Sequence, residues 1–276
     1  MLKDKQDQPQ TLETVILVED LGRIAAHEKA KLLAEQTGFK VFSVKPKQSK
    51  RLYNNKQWQL VFTEKGLVLR LSSEPSWSDI YVDFASSALA YRKQHGGGRK
   101  EPLAKAIGIK GKEALTVLDC TAGMGTDSFV MASVGASVTM IERSPIVAAL
   151  LEDAVDRAMN AQLDVVERMN LLKVDAIEYL QTLQIQPDVI YLDPMFPHKK
   201  KSAMVKKEMQ AFQQLLGADT DSSKMMGLAL ERARQRVVVK RPNYALPIDN
   251  DKNRQPDMAI TSKKHRFDVY INEGRN

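Results

Sequence analysis

The residues Asp193-Pro194-Met195-Phe196-Pro197 follow the apolar run Val189-Ile190-Tyr191-Leu192, so an acid, a rigid turn and an aromatic ring stand together where a strand should end. An exocyclic amine on a purine or pyrimidine is a poor nucleophile, because its lone pair is delocalised into the ring. Two acceptors, the Asp193 carboxylate and the Pro194 carbonyl, can take both N–H groups and turn the lone pair towards an electrophile. Pro194 and Pro197 stiffen the loop that holds these acceptors. Phe196 offers a flat face on which an extracted base can stack. Asp-Pro after a strand is also a common turn signal, so other strand ends must decide between the two readings.

Three of them carry acids. The turn Asp119-Cys120-Thr121-Ala122-Gly123-Met124-Gly125-Thr126-Asp127 joins an apolar strand to a helix, and its glycines let the backbone bend close to a ligand. A dinucleotide fingerprint needs a third glycine three residues after Gly125, where this chain has Ser128; a phosphate loop needs Lys-Ser/Thr, which is missing. The pattern instead resembles the acidic-x-x-x-Gly-x-Gly turn of class I methyltransferases, whose ligand has no phosphate to cradle. The next strand ends at Glu142, placed to accept both hydroxyls of a ribose. The third ends near Asp175, placed to accept from an adenine amino group and equally suited to cap the helix that follows. Together these acids predict an S-adenosylmethionine pocket. Methylation at a pyrimidine ring carbon normally uses a cysteine nucleophile. The only cysteine, Cys120, lies in the first turn, so nitrogen is the better target.

The elements that must position these groups alternate from about residue 85 onward, which predicts an α/β domain with a mostly parallel sheet and helices on both faces. Strands are expected at 114–119, 137–142, 171–174, 187–192, 236–240 and 266–271. Helices are expected at 127–134, 145–159, 177–183 and 206–216, with Met225-Met226 as core or linker and 249–256 as a surface loop. Residues 1–84 predict a smaller α+β module. It would contain a strand at 14–18, a helix at 23–36 carrying Ile24, Ala25, Leu32 and Leu33 at helical spacing, and a hairpin of 58–62 with 67–71. The expected division is therefore 1–84 and 85–276.

The 276 residues are 43% apolar, enough for a real core, and carry a net charge of +7. Such a balance favours a polyanionic partner, most commonly nucleic acid. No apolar run approaches a membrane span and the first residues are polar, so a soluble cytoplasmic protein is expected. One cysteine and four scattered histidines do not suggest a zinc site. Basic residues flank the proposed base loop: His198, Lys199, Lys200 and Lys201, then Lys206 and Lys207, with Lys240-Arg241 and Lys263 to Arg266 after later strands. These would hold backbone phosphates. Arg99, in the Gly-rich stretch His95-Gly96-Gly97-Gly98-Arg99, belongs either to a mobile basic lid or to a simple helix end.

These motifs resemble the ribosomal RNA small subunit methyltransferase J family. The resemblance runs through Tyr81-Val82-Asp83-Phe84, His95 to Arg99, Asp119 to Gly125, Glu142-Arg143-Ser144-Pro145, Asp193-Pro194-Met195-Phe196-Pro197-His198-Lys199, Val237 to Pro242 and His265-Arg266-Phe267-Asp268. It implies a Rossmann-like class I methyltransferase that methylates N2 of a guanosine in small-subunit ribosomal RNA, free or in the assembling subunit, without a metal. By the family pattern, cofactor contacts fall on Thr126 and Asp127, Glu142 and Arg143, Asp175 and Ala176, and Asp193, beside the turn residues Asp119, Gly123 and Gly125. Thr126 stands where the family has a basic residue, and Asp175-Ala176 where it has small polar ones. Two other functions fit the same motifs: a DNA amino-methyltransferase, or an RNA-binding protein whose cofactor site has decayed. Intact acids at 142, 175 and 193 weigh against the latter.

Overall fold

The computed structural model describes residues 14–19, 24–45, 58–71, 78–86, 98–109, 114–195, 215, 221–263 and 265–272. The chain divides into two compact units, Met1–Tyr81 and Val82–Asn276. The division falls three residues before the expected 84/85 break. Phe84 belongs with the second unit because its ring stacks on Phe129, with centroids 5.3 Å apart and planes 6° from parallel.

In the first unit, β1 (Thr14–Glu19) lies between β2 (Lys40–Val44) and β3 (Trp58–Thr63), parallel to both, and β4 (Gly66–Leu71) pairs antiparallel with β3. Helix α1 (Ile24–Thr37) links β1 to β2 and ends at Gly38, whose φ of 72° and N–H bond to Ala34 close the last turn. Strand β2 was not expected. Of the residues the spacing suggested, Leu33 is inside together with Ala30, whereas Ile24 and Leu32 are exposed.

The second unit is built on a seven-stranded sheet. Its strands are β5 (Thr116–Asp119), β6 (Ser137–Ile141), β7 (Met169–Leu172), β8 (Val189–Leu192), β9 (Arg236–Pro242), β10 (Met258–Thr261) and β11 (His265–Ile271), in the order β10-β11-β9-β8-β5-β6-β7. Strands β5 to β9 run parallel, and the β10–β11 hairpin adds antiparallel to β9. Strands covered on both faces read as near-continuous apolar runs, and Val-Ile-Tyr-Leu in β8 is buried throughout. Helices α2 (Pro102–Ile107), α3 (Thr126–Ser133), α4 (Pro145–Asn160), α5 (Ala176–Thr182) and α6 (Ser222–Arg232), with short 3-10 turns at Gly98–Lys100 and Asp164–Arg168, accompany the sheet. One side of the core joins Leu118, Ile141, Ile190, Leu192 and Val239 of the sheet to Ile177 and Leu180 of α5 and to Met225, Met226 and Leu230 of α6. Met225-Met226 is therefore helical core. Among the described residues, no helix is long and apolar enough to cross a membrane.

The sheet topology decides where a ligand can sit. From β5 the chain steps first to β6 on one side and later to β8 on the other, so the crossovers after β5 and β8 part company. A crevice opens outside the carboxyl ends of the strands at such a switch point. Asp119 and Asp193 end the two strands that flank it.

Candidate active site

A cavity of about 680 Å³ lies over these strand ends, within the range of small-molecule sites. Glu142 and Asp175 end the neighbouring strands on the β6–β7 side, and the turn after β5 forms the floor between them and Asp193.

That turn is held from below. Asp119 is buried, accepting from the Ser128 hydroxyl at 2.5 Å and from the Thr121 N–H at 3.0 Å. Ser128, which breaks the dinucleotide pattern, thus ties the first turn of α3 to the end of β5. Burial pushes the Asp119 carboxyl up to about 7, against the pull of these donors. Gly125 caps α3 in the left-handed region at φ 69°, and a Cβ there would come within 2.7 Å of Leu151 and 3.0 Å of Phe84. Glycine is required for both reasons.

Glu142 reaches back under the turn. One carboxylate oxygen accepts from the Gly123 N–H at 3.1 Å and the other from the Ser144 N–H at 2.7 Å. A carboxylate has about four lone-pair sites, and Glu142 lines the cavity where ligand hydroxyls would approach it. Asp175 caps α5, accepting from Ile177 at 2.8 Å and Glu178 at 3.2 Å through one oxygen. Its other oxygen lies 3.7 Å from Arg143, which also pairs with Asp221 at 2.6 Å.

At the opposite end, the Asp193 N–H donates to the Thr121 hydroxyl at 2.6 Å, locking the loop after β8 to the turn after β5. Lys240 places its ammonium between two acids, 2.8 Å from Asp193 and 2.7 Å from Asp127, and the Tyr191 hydroxyl donates to the same Asp127 oxygen at 2.7 Å. Asp193 is surrounded by protein yet keeps 38% of its side chain open to the cavity. Burial raises its carboxyl above the ordinary range, and the Lys240 charge opposes this. Burial works against the Lys240 ammonium, but Asp193 and Asp127 outweigh it and raise its pKa.

Of the sequence-predicted cofactor residues, Asp119, Gly123, Thr126, Asp127, Glu142, Arg143, Asp175, Ala176 and Asp193 all line this one cavity, while Gly125 shapes the turn beneath it. Pro194 is buried beside Asp193. Phe196, His198, Lys199, Lys200, Lys201, the side chain of Arg99 and the 206–216 helix, apart from Leu215, lie outside the described residues. Lys240 and Arg241, expected to hold phosphates, have partners within the protein. Lys240 is engaged by two acids, and Arg241 is 7% exposed with its guanidinium donating to the Leu246 carbonyl at 2.8 and 3.1 Å. Sequence reasoning missed Thr121, Tyr191, Asp221, Met225 and His265 as cavity residues. Asp221 and Met225 are remote in sequence from every motif and no local signal marks them, whereas His265 stands in a motif that did not by itself assign it to the cavity.

The wall carries six carboxyl groups, those of Asp119, Asp127, Glu142, Asp175, Asp193 and Asp221, against the two permanent cations Arg143 and Lys240. This surface repels phosphates and suits a positively charged ligand with hydroxyls and an amino group.

A family model described as "Putative SAM-dependent methyltransferase" matches residues 45–272. The Ribosomal RNA small subunit methyltransferase J of Aeromonas salmonicida is 52% identical over 218 residues, covering 78% of this chain and 86% of that protein. The same-named protein of Alteromonas mediterranea is 56% identical over 201 residues, covering 72% and 77%. A crystal structure of a SAM-dependent methyltransferase from Neisseria gonorrhoeae superposes with a TM-score of 0.69 at 33% identity, covering 95% of this chain and 97% of its own. The chain belongs to the ribosomal RNA small subunit methyltransferase J family of S-adenosylmethionine-dependent methyltransferases.

Proposed function

We propose that this protein transfers a methyl group from S-adenosylmethionine to the exocyclic N2 of a guanosine in 16S ribosomal RNA, free or in the assembling small subunit, in the cytoplasm. The observation that carries the reading is one continuous acid-lined cavity joining the turn after β5 to the strand ends at Glu142, Asp175 and Asp193. Relatives about half identical bear the small-subunit ribosomal RNA methyltransferase name, which supports the substrate class.

The residues fit the cofactor. Glu142 accepts from the ribose hydroxyls, Asp175 and Ala176 meet the adenine, and the Gly123–Gly125 turn lets the backbone approach the methionine portion. S-adenosylmethionine supplies an electrophilic methyl group that needs no metal to activate it. The task of the chain is then to position the nucleophile. Asp193 and the Pro194 carbonyl accept the two N–H groups of the target amine and aim its lone pair, while Phe196 stacks on the base. Arg99, His198, Lys199, Lys200 and Lys201 hold flanking phosphates.

The test is methyl transfer to naked small-subunit RNA, to small subunits and to duplex DNA, with the product nucleoside identified by mass spectrometry. We expect N2-methylguanosine in the RNA or subunit arm, and loss of turnover in Asp193→Ala. Transfer to DNA alone would make the protein a DNA amino-methyltransferase. Wild-type turnover in a folded Asp193→Ala protein would remove the loop after β8 from the chemistry.

A further inference from the structure

Lys240 lies on β9, a strand that ends beside the loop carrying Asp193, and the sequence alone reads it as one more surface cation. The geometry gives it another task. Its Nζ stands 2.8 Å from an Asp193 oxygen and 2.7 Å from an Asp127 oxygen, and only 24% of its side chain is exposed. Asp127 opens α3 on the cofactor side of the cavity; Asp193 ends the strand on the base side. An ammonium has three donors, and two are used here.

We propose that Lys240 is a positioning residue for the methyl transfer: its ammonium, shared by Asp193 and Asp127, holds Asp193 as an oriented anion and ties the base-side loop to the cofactor-side turn. The inference rests on the functional reading above, in which Asp193 accepts an N–H of the target amine. Only the ionised carboxylate is purely an acceptor. Several groups press on Asp193. Asp127 from α3 and Asp119 from β5 disfavour its charge, Lys240 and Arg241 from β9 favour it, and Tyr191 from β8 and His265 from β11 share the cavity wall. Lys240 is the strongest of the favourable ones and touches the carboxylate directly. Without it, two acids face each other across a partly desolvated space, and Asp193 gives up its proton only at higher pH.

The acidic limb of the single-turnover rate should therefore move to alkaline pH in Lys240→Met and Lys240→Gln. The rate at pH 7 should drop about tenfold or more and recover as the pH is raised. Lys240→Arg keeps the charge and should keep the limb near its wild-type position. A second measurement needs no cofactor: the carboxyl ¹³C titration of Asp193, assigned by its disappearance in Asp193→Asn, should shift upward in Lys240→Gln. If Lys240→Met fails to fold, Lys240→Gln decides, since its amide can still donate to both acids without charge. A uniform loss at every pH with an unmoved Asp193 titration would make Lys240 merely structural and overturn the proposal. So would a change confined to RNA affinity and its salt dependence, which would return Lys240 to the phosphates. Wild-type protein that methylates no RNA at all would instead defeat the functional reading and leave the carboxyl titration to judge Lys240.

Discussion

Asp119 and Glu142 end adjacent strands, yet they hold their charge in different settings. Glu142 accepts from two backbone N–H groups and reaches the cavity. Asp119 is almost wholly buried, and burial lifts its carboxyl to about 7. A folded-state pKa above the unfolded value of 3.8 means the native state binds the proton more tightly. The stability this provides is complete below the unfolded value and is lost as pH rises through about 7. Asp119→Asn cannot ionise and can still accept from Thr121 while its amide donates to Ser128. Relative to wild type, the variant should therefore gain stability between pH 5 and pH 8, by on the order of a few kcal/mol. Urea unfolding at the two pH values measures it; an unchanged difference would mean that Asp119 is ionised throughout. The acids were legible in the sequence because each follows a short apolar run. What burial does to each was not, since neighbours such as Ser128 and Lys240 are assigned to it only by the fold. The setting of Lys240-Arg241 was hidden for the same reason: a basic pair looks solvated until its strand is covered.

Helix α3 begins at a residue that cannot carry a side chain in place. Gly125 needs the left-handed region, and a Cβ would press on Leu151 and on the Phe84 ring that stacks against Phe129. Gly125→Ala should destabilise the second unit by about 1–3 kcal/mol and weaken cofactor binding, because the turn after β5 and the start of α3 move together. Thermal melting and calorimetry with S-adenosylmethionine check both; a variant with unchanged melting and affinity would show the turn to be pliable. Strong period and clear caps made β5, β6, β8 and α4 readable, the last by Ser144 at its N-cap with Pro145 next. Helix α6 was hidden because Gly227 interrupts its pattern. A Cβ there would meet an Asp251 oxygen at 2.6 Å, a contact that this exposed side chain can relieve by turning away. Strand β2 escaped because its residues alternate only weakly and its burial is slight.

Charge is divided unevenly over the molecule. The chain carries +7 overall, while the cavity over the strand ends is lined by six carboxyl groups and two permanent cations. The positive excess must therefore sit elsewhere, and the Lys199-Lys200-Lys201 run is the nearest candidate in sequence for the proposed RNA contact. Replacing all three by alanine should weaken RNA binding and make the slope of log affinity against log salt shallower by about 2–3, with cofactor affinity unchanged. Filter binding across a salt series gives the slope, and an unaltered value would show that the run does not neutralise phosphates.

The only cysteine lies at the switch point itself. Cys120 is 5% exposed in the cavity wall, and burial pushes its thiol well above the ordinary value. The reactive thiolate is thus scarce in the folded protein, and alkylation should speed up when the end of β5 comes apart. Its labelling rate is consequently a clock for local opening at the centre of the sheet, read at one atom without any engineered probe. A ligand that occupies only the closed form slows that clock by the factor 1 + [L]/Kd, so affinity can be timed on unmodified protein.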